Sequence, residues 1–336
     1  MNFEKILIVK LSSLGDIIHT LPAFKAIRDE YPESKICWVV EKNGAEILRH
    51  LEGLNEIIIF DTLTWRKKPF SLKTVKELRE SIKKIRGRFD LAIDFQGTLK
   101  SSFITFISAS KERIGFGKEN LKEPISSIFY TKRLVPIPEN THVIYKNLKI
   151  LEIIGIKKDL PVFPKLILNT DLPEDLKFNG DRLIIINGGG GWETKIWLKG
   201  RWRELALKIK ELDYEPLFLW GNKAEKERME EESRGDIPLA PFLSISQLMK
   251  LISLSRLVIS GDTFPLHIAD LLGIPAVGIY GPSNPSRNGP ISKNSKVVFH
   301  KLPCSFCYKR KCKDLECMKR IDVESVLIKV KEILEK

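Results

Sequence analysis

The feature that most limits how this chain can fold is a pattern that runs once, breaks, and starts again. Short apolar runs at 5–9 (KILIV), 36–40 (ICWVV), 57–60 (IIIF) and 91–94 (LAID) alternate with helical periodicity near 16–30, 43–51, 71–86 and 97–108. Brief apolar runs separated by helical stretches are the pattern of βαβ units, in which helices carry the chain back across a parallel sheet. A helix near 142–154 closes this series. A stretch rich in Pro, Asp and Asn, KKDLPVFPKLILNTDLPEDLKFNGD, then reads as a linker with one short strand. The pattern restarts with strands at 182–187 (RLIIIN), 215–220 (EPLFLW), 256–260 (RLVIS) and 275–280 (PAVGIY), and with helices near 201–212, 223–233, 245–254 and 265–272. The closing DVESVLIKVKEILEK places apolar residues at 323, 326, 327, 330, 333 and 334, one stripe of an amphipathic helix.

At 336 residues the chain exceeds what one core usually serves. The expected fold class is therefore α/β, with two doubly wound, Rossmann-like domains facing across a cleft, the GT-B layout. Residues 1–165 form the first domain and 175–322 the second. The helix at 323–336 is a candidate to pack back on the first domain. Ligands of such sheets sit beyond the carboxyl ends of the strands. Some epimerases and phosphorylases share this layout, so architecture alone does not name an activity.

Charge narrows the partners. The formal net charge is +13, which favours an anionic partner. Between Trp65 and Arg88 stand ten Lys or Arg against two Glu; a solvated helix face and an anion-binding surface both fit. The basic run has few interleaved aromatics and no nucleic-acid motif, which argues against DNA or RNA. No apolar run approaches the roughly 20 residues of a membrane span. The start, MNFEKILIVK, carries an acid where a signal peptide has bases and leads straight into a strand, so it reads as a mature cytoplasmic terminus. Four of five cysteines crowd the C-terminal end as CSFCYKRKCKDLEC: Cys304, Cys307, Cys312 and Cys317. A structural zinc, two disulfides and free thiols all fit that spacing. Cys37, within a predicted strand, reads as core.

Three turns carry residue types suited to chemistry. KLSSLGDIIHTLPA (10–23) leaves the first strand and sets Asp16 and His19 on one helical face, with Gly15 allowing a sharp turn. Asp16 is either a plain helix cap or a general base; a free Asp, with a pKa of roughly 3.9, suffices as a base when the leaving group departs early. NGGGGWETKIW (187–197) exposes backbone amides to an anion and lacks both the Walker pattern and the dinucleotide fingerprint. Lys195 there could pair with a phosphate or remain a surface lysine. SGDTFPLHIADLLGIP (260–275) ends a strand, offers Asp262 or Thr263 as cap, and puts Pro265 in the first helical turn. Such a helix start accommodates a diphosphate without a metal. YGPSNPSRNGP (280–290) is a turn-rich loop on the same edge.

VKLSSLGDIIHTLPA, IDFQGTLKSS, ERIGF, KIWLKGRWREL and GDTFPLHIADLLGIPAVGIYGPSNPSRNGP together resemble glycosyltransferase family 9, the ADP-heptose:lipopolysaccharide heptosyltransferases. The resemblance runs from residue 5 to about 290, and the cysteine-bearing tail is similar to that of many members. SSLGDIIHTLPA, TWRKKPFS (64–71) and LKEPISSIFYTKR (121–133) are most like the heptosyltransferase I branch, which adds the first heptose to the inner 3-deoxy-octulosonate (Kdo).

The resemblance implies roles. Asp16 matches the base, with Ser12, Ser13 and Gly15 around it; Lys195 matches a lysine that offsets phosphate charge as ADP departs. Donor contacts would be Ser13, Gly15, Gly190, Gly191, Glu225, Asp262, Thr263, Phe264 and His267, with Lys223 an alternative to Glu225 at the ribose. Acceptor contacts would be Ser12, His19, Arg66, Lys67 and Lys122. Two departures stand out: Phe264 replaces the usual Gly after Asp-Thr, and Gly190 and Gly191 stand where many members have Thr or Ser. The implied activity is inverting, metal-independent transfer of heptose from ADP-heptose to Kdo-lipid A. No cofactor is implied for catalysis, with a structural zinc one reading of the cysteines. The implied location is peripheral, at the anionic inner face of the inner membrane. A family 9 enzyme for a later heptose or a hexose, and a non-catalytic nucleotide-sugar-binding protein, are the alternatives.

Overall fold

The computed structural model describes residues 3–335, and the chain divides into two units at Ile167/Leu168. In the first, β1 (Lys5–Val9), β2 (Lys35–Val40), β3 (Glu56–Ile59), β4 (Leu91–Asp94), β5 (Glu112–Phe116) and β6 (Lys132–Leu134) form one sheet in the order β3-β2-β1-β4-β5-β6. Every pairing is parallel, with Leu7 opposite Cys37 on one side and Ala92 on the other. In the second, β7 (Leu183–Asn187), β8 (Glu215–Leu219), β9 (Leu257–Gly261), β10 (Ala276–Tyr280) and β11 (Lys296–Phe299) run in the order β11-β10-β9-β7-β8, again all parallel.

The central strands are apolar throughout because helices cover both faces: Ile6 to Val9 and Ile184 to Ile186 are wholly buried. Each sheet order reverses direction once. In the first unit the reversal falls between β1 and β4, and in the second between β7 and β9. Crossovers leave these pairs toward opposite faces, so the loops beyond their carboxyl ends part and open a crevice. The helix Leu14–Ile18 that follows β1 holds Asp16, the loop after β7 holds the glycine-rich turn, and the loop after β9 holds Asp262.

Differences from the sequence reading have local causes. The helix expected over 16–30 is two, Leu14–Ile18 and Leu21–Glu30, because Pro22 cannot donate to the earlier turn and its ring blocks a continuous helix. β5, β6 and β11 carry charges among short apolar stretches (ERIGF, KRL, KVVF), which hides them from a pattern search. The linker strand shrinks to a single bridge, Leu166 against Leu51. The helix set apart at 323–336 belongs to the second unit. Val323, Val326, Leu327, Val330 and Ile333 are buried with Trp197, Trp202 and Leu205 in that unit's own core, and Trp197 Nε1 donates to Ile321 O at 2.8 Å. Its apolar stripe meets the helix Arg201–Glu211 and strands β10 and β11.

Candidate active site

In the first unit the chain leaves β1 through a turn pinned from β4. The backbone amides of Leu11 and Ser12 both donate to Gln96 Oε1 at 3.2 Å. Lys10 is 5% exposed, and its Nζ donates to Phe95 O at 3.0 Å. The peptide between Ser12 and Ser13 is cis. Ser13 caps the helix Leu14–Ile18, and Asp16 reaches back to it: Oδ2 accepts from Ser13 N at 3.1 Å and from Ser13 Oγ at 2.9 Å. Among the described residues no protein hydrogen bond reaches Oδ1. Burial pushes the Asp16 carboxyl up, but Lys10, His19 and the two Ser13 bonds outweigh it and hold the group below the usual carboxylate range. Asp16 is thus a half-buried anion at neutral pH, with one oxygen capping and one oxygen available.

His19, expected as an acceptor contact, is 5% exposed; its ring packs edge-on against His142, and it is placed to act through Asp16. Ser13 is likewise engaged with Asp16, and Gly15 forms the first turn of the same helix. Ser12 lines a cavity of about 780 Å³ together with Gln96, Lys100, Phe103, Glu123 and Phe129. Lys100 Nζ bridges Glu41 Oε1 at 3.1 Å and Thr62 Oγ1 at 2.6 Å, tying the cavity to the helix Thr62–Lys67. Arg66 and Lys67 are exposed at the end of that helix, where the helix dipole favours cations. Lys122 is exposed beside Glu123, whose Oε2 accepts from Leu99 N at 2.6 Å.

In the second unit the site is built around a buried carboxylate. Asp262 is 5% exposed. Its Oδ2 meets Lys195 Nζ at 2.6 Å; its Oδ1 meets His267 Nε2 at 3.3 Å and Asn288 Nδ2 at 2.8 Å. Burial raises this carboxyl, yet the bond and charge of His267 and those of Lys195 prevail and drive it far below the usual range. Both Asp262 oxygens are engaged, so the side chain holds Lys195, His267 and Asn288 in place and leaves a donor contact at this position to the backbone. Lys195 also lies over the Trp192 ring at 4.4 Å.

Thr263 occupies the cap position of the helix Phe264–Leu272, but its hydroxyl accepts from Asn187 Nδ2 at 2.9 Å and contacts Ser260 Oγ at 2.8 Å instead of closing the helix. Pro265 has no amide to offer. The amide of Phe264 therefore faces no capping side chain, which suits an anion at the positive end of the helix dipole. Phe264 itself is helical with negative φ, so replacing glycine here costs no backbone strain.

The glycines that packing requires are not the pair singled out in the sequence. A Cβ on Gly189 would stand 2.7 Å from Glu225 Cδ, and one on Gly188 would stand 2.4 Å from Met229 Sδ. Gly191 has open space around it, and Gly190 meets only contacts of 3.2 Å or more. Glu225 thereby touches the glycine-rich turn, and its Oε2 accepts from Gly221 N at 2.8 Å. Lys223 is almost fully exposed, so Glu225 is the better placed of the two ribose candidates. Sequence reasoning missed Lys10, Gln96, Lys100, Trp192, Asn187 and Asn288. All six lie inside the quoted motifs, but their parts depend on contacts distant in sequence, such as Gln96 with Leu11 and Ser12 and Asn288 with Asp262.

A family model described as glycosyltransferase family 9 (heptosyltransferase) matches residues 78–318. Lipopolysaccharide heptosyltransferase 1 of Pseudomonas aeruginosa is 29% identical over 314 residues, spanning 92% of this chain and 87% of that protein. Lipopolysaccharide heptosyltransferase 1 of Campylobacter coli is 28% identical, spanning 98% of each. Among solved structures, the E. coli heptosyltransferase WaaC with ADP matches with a TM-score of 0.84 at 24% identity, over 98% of this chain and 99% of that one. E. coli ADP-heptose lps heptosyltransferase II matches with a TM-score of 0.77 at 18% identity, over 98% of each. The fold class is that of these GT-B proteins.

Proposed function

Because this chain belongs to glycosyltransferase family 9 and is a glycosyltransferase, we propose that it moves heptose from ADP-heptose to a Kdo hydroxyl of Kdo-lipid A in lipopolysaccharide inner-core synthesis. The reading is carried by one observation: an ionised, half-buried Asp16 with one oxygen unbound, at the reversal point of a parallel sheet.

The chemistry follows from the groups present. The acceptor oxygen attacks the anomeric carbon from the face opposite the diphosphate. The bond from that carbon to the β-phosphate oxygen breaks, and its electron pair leaves with ADP. The acceptor proton passes to Asp16 Oδ1, and a single displacement inverts the anomeric centre. A carboxylate this acidic is a weak base, which suits an oxocarbenium-like transition state with late proton transfer. Lys195 and the start of the helix Phe264–Leu272 take up charge on the departing ADP. These positive groups support a reaction that needs no catalytic metal.

A lipid acceptor and a peripheral place on the inner face of the inner membrane are supported by one surface of the first unit. Leu99, Phe103 and Phe106 on the helix Leu99–Ile107 are exposed beside Ile125 and Ile128 of the adjoining short helix Pro124–Phe129. Lys100 and Lys122 flank them, a mixture that suits acyl chains below and phosphates above.

The test is turnover of ADP-heptose and Kdo-lipid A, read by mass spectrometry, beside UDP- and GDP-sugars. Asp16→Ala should lower turnover by about 10²–10⁴-fold while ADP affinity stays within about twofold. Full turnover by the variant, or product only from a donor other than ADP-heptose, would refute the reading. Added magnesium or manganese should leave the rate unchanged.

A further inference from the structure

Residues 300–315, between β11 and the short tail helix Glu316–Lys319, hold neither helix nor strand. A loop this long without regular structure is uncommon inside a packed unit and usually marks a functional segment or a linker. It carries three of the tail's cysteines, and the fourth follows at once. Cys304, Cys307, Cys312 and Cys317 line one small cavity of about 130 Å³, closed on the other side by Gly281, Pro282 and Thr194. All four are free thiols; the first three are exposed. Among the described residues no group of three or more His, Cys, Asp or Glu is already drawn in to ligating distance.

We propose that these four cysteines are the ligands of one tetrahedral metal ion, with zinc the ion their chemistry favours, and that the metal fastens this loop to the donor-side turns. Four cysteines on the wall of one small cavity supply the number and type of ligand that a tetrahedral zinc site takes, with each Zn–S bond about 2.3 Å. The backbone is partly arranged for thiolate already: Leu315 N donates to Cys312 Sγ at 3.4 Å, from a left-handed turn at Leu315 with φ +46°. Amides directed at sulfur are the usual outer support of thiolate ligands. Binding would release the thiol protons and leave a site of net charge near −2. Lys301, Lys309, Arg310, Lys311 and Lys313 surround the cysteines in sequence, with no acid before Asp314, and they offset that charge.

The loop's other contacts show what the metal would steady. Thr194 Oγ1 donates to Lys309 O at 2.7 Å, and Arg310 lies over Trp192 at 5.3 Å, so the loop braces the turn that carries Lys195. Tyr308 N donates to Pro282 O at 3.0 Å, while Tyr308 Oη accepts from Asn284 N at 3.2 Å, bracing the loop that carries Asn288. Gly281 admits this packing because a Cβ there would stand 3.3 Å from Cys317 Sγ and 2.4 Å from Met318 Sδ.

The experiment is elemental analysis of the full chain purified without chelator, with a thiol titration and a cobalt-substituted spectrum. About one zinc or iron per chain, released by a mercurial, and tetrahedral thiolate-to-cobalt bands are expected. Cys304→Ser with Cys307→Ser should lower the metal content to near zero. If that variant does not fold, the wild-type cobalt spectrum decides by itself. Stripping the metal should speed tryptic cleavage at 309–313. Four titratable thiols without metal, two disulfides, or metal retained by the double variant would each overturn the proposal. None of these readouts depends on which sugar is transferred.

Discussion

Asp262 has three side-chain partners and Asp16 has one, and that difference sets what each carboxylate does. Asp262 is saturated by Lys195, His267 and Asn288, so its charge works by holding its neighbours. Asp16 leaves an oxygen for a proton. Asp262→Asn should lower stability by about 3 kcal/mol, the lower end for a buried pair broken from one side, because Lys195 keeps some contact with water. The sign with pH follows from linkage. The folded-state pKa lies below the unfolded value of 3.8, so the contribution is complete above that pH and is lost as pH falls toward the folded value. The melting temperatures of wild type and variant should therefore differ fully at pH 5 and above, and converge below about pH 4. A gap unchanged down to pH 2.5 would contradict this. The sequence pointed to both aspartates by motif, but only packing separates the carboxylate with an oxygen left over, proposed as the base, from the one that holds its neighbours.

At the scale of elements, the turn after β7 was visible as four glycines, but their individual needs were not. Gly189 is required by the approach of Glu225, which comes from a helix more than thirty residues later, whereas no protein packing requires Gly191. Gly189→Ala should push Glu225 from its bond to Gly221 and raise the donor KM by up to about tenfold with kcat little changed, the scale of one lost hydrogen bond. Gly191→Ala should leave both constants within about twofold. Steady-state kinetics against ADP-heptose decides; equal effects at both positions would show that the turn needs flexibility rather than close contact. The strands were legible where burial on both faces makes them uniformly apolar. β6 and β11 escaped because edge strands mix charged with apolar residues, and a short edge strand is defined by its neighbour's hydrogen bonds.

For the molecule as a whole, the proposed membrane-bound acceptor would draw on both the +13 charge and the exposed apolar residues of the first unit. Co-sedimentation with vesicles rich in anionic lipid should be strong at low salt and fall steeply toward 0.5 M, since screening shortens the reach of each basic group. Phe103→Ser with Ile128→Ser should weaken what binding survives at high salt. Binding that ignores both lipid charge and salt would leave the basic surplus as a solvated surface only.

The sequence by itself determined two parallel-sheet units, the three loops proposed to carry chemistry, and the family, because buried strands and tight turns restrict residue type locally. Tertiary structure decided which side chains meet: Lys195 with Asp262, Lys10 and His19 near Asp16, Glu225 with Gly189, four cysteines around one cavity, and the last helix in the second core. Those choices depend on distances between residues far apart in the chain, which periodicity and motif spacing do not encode.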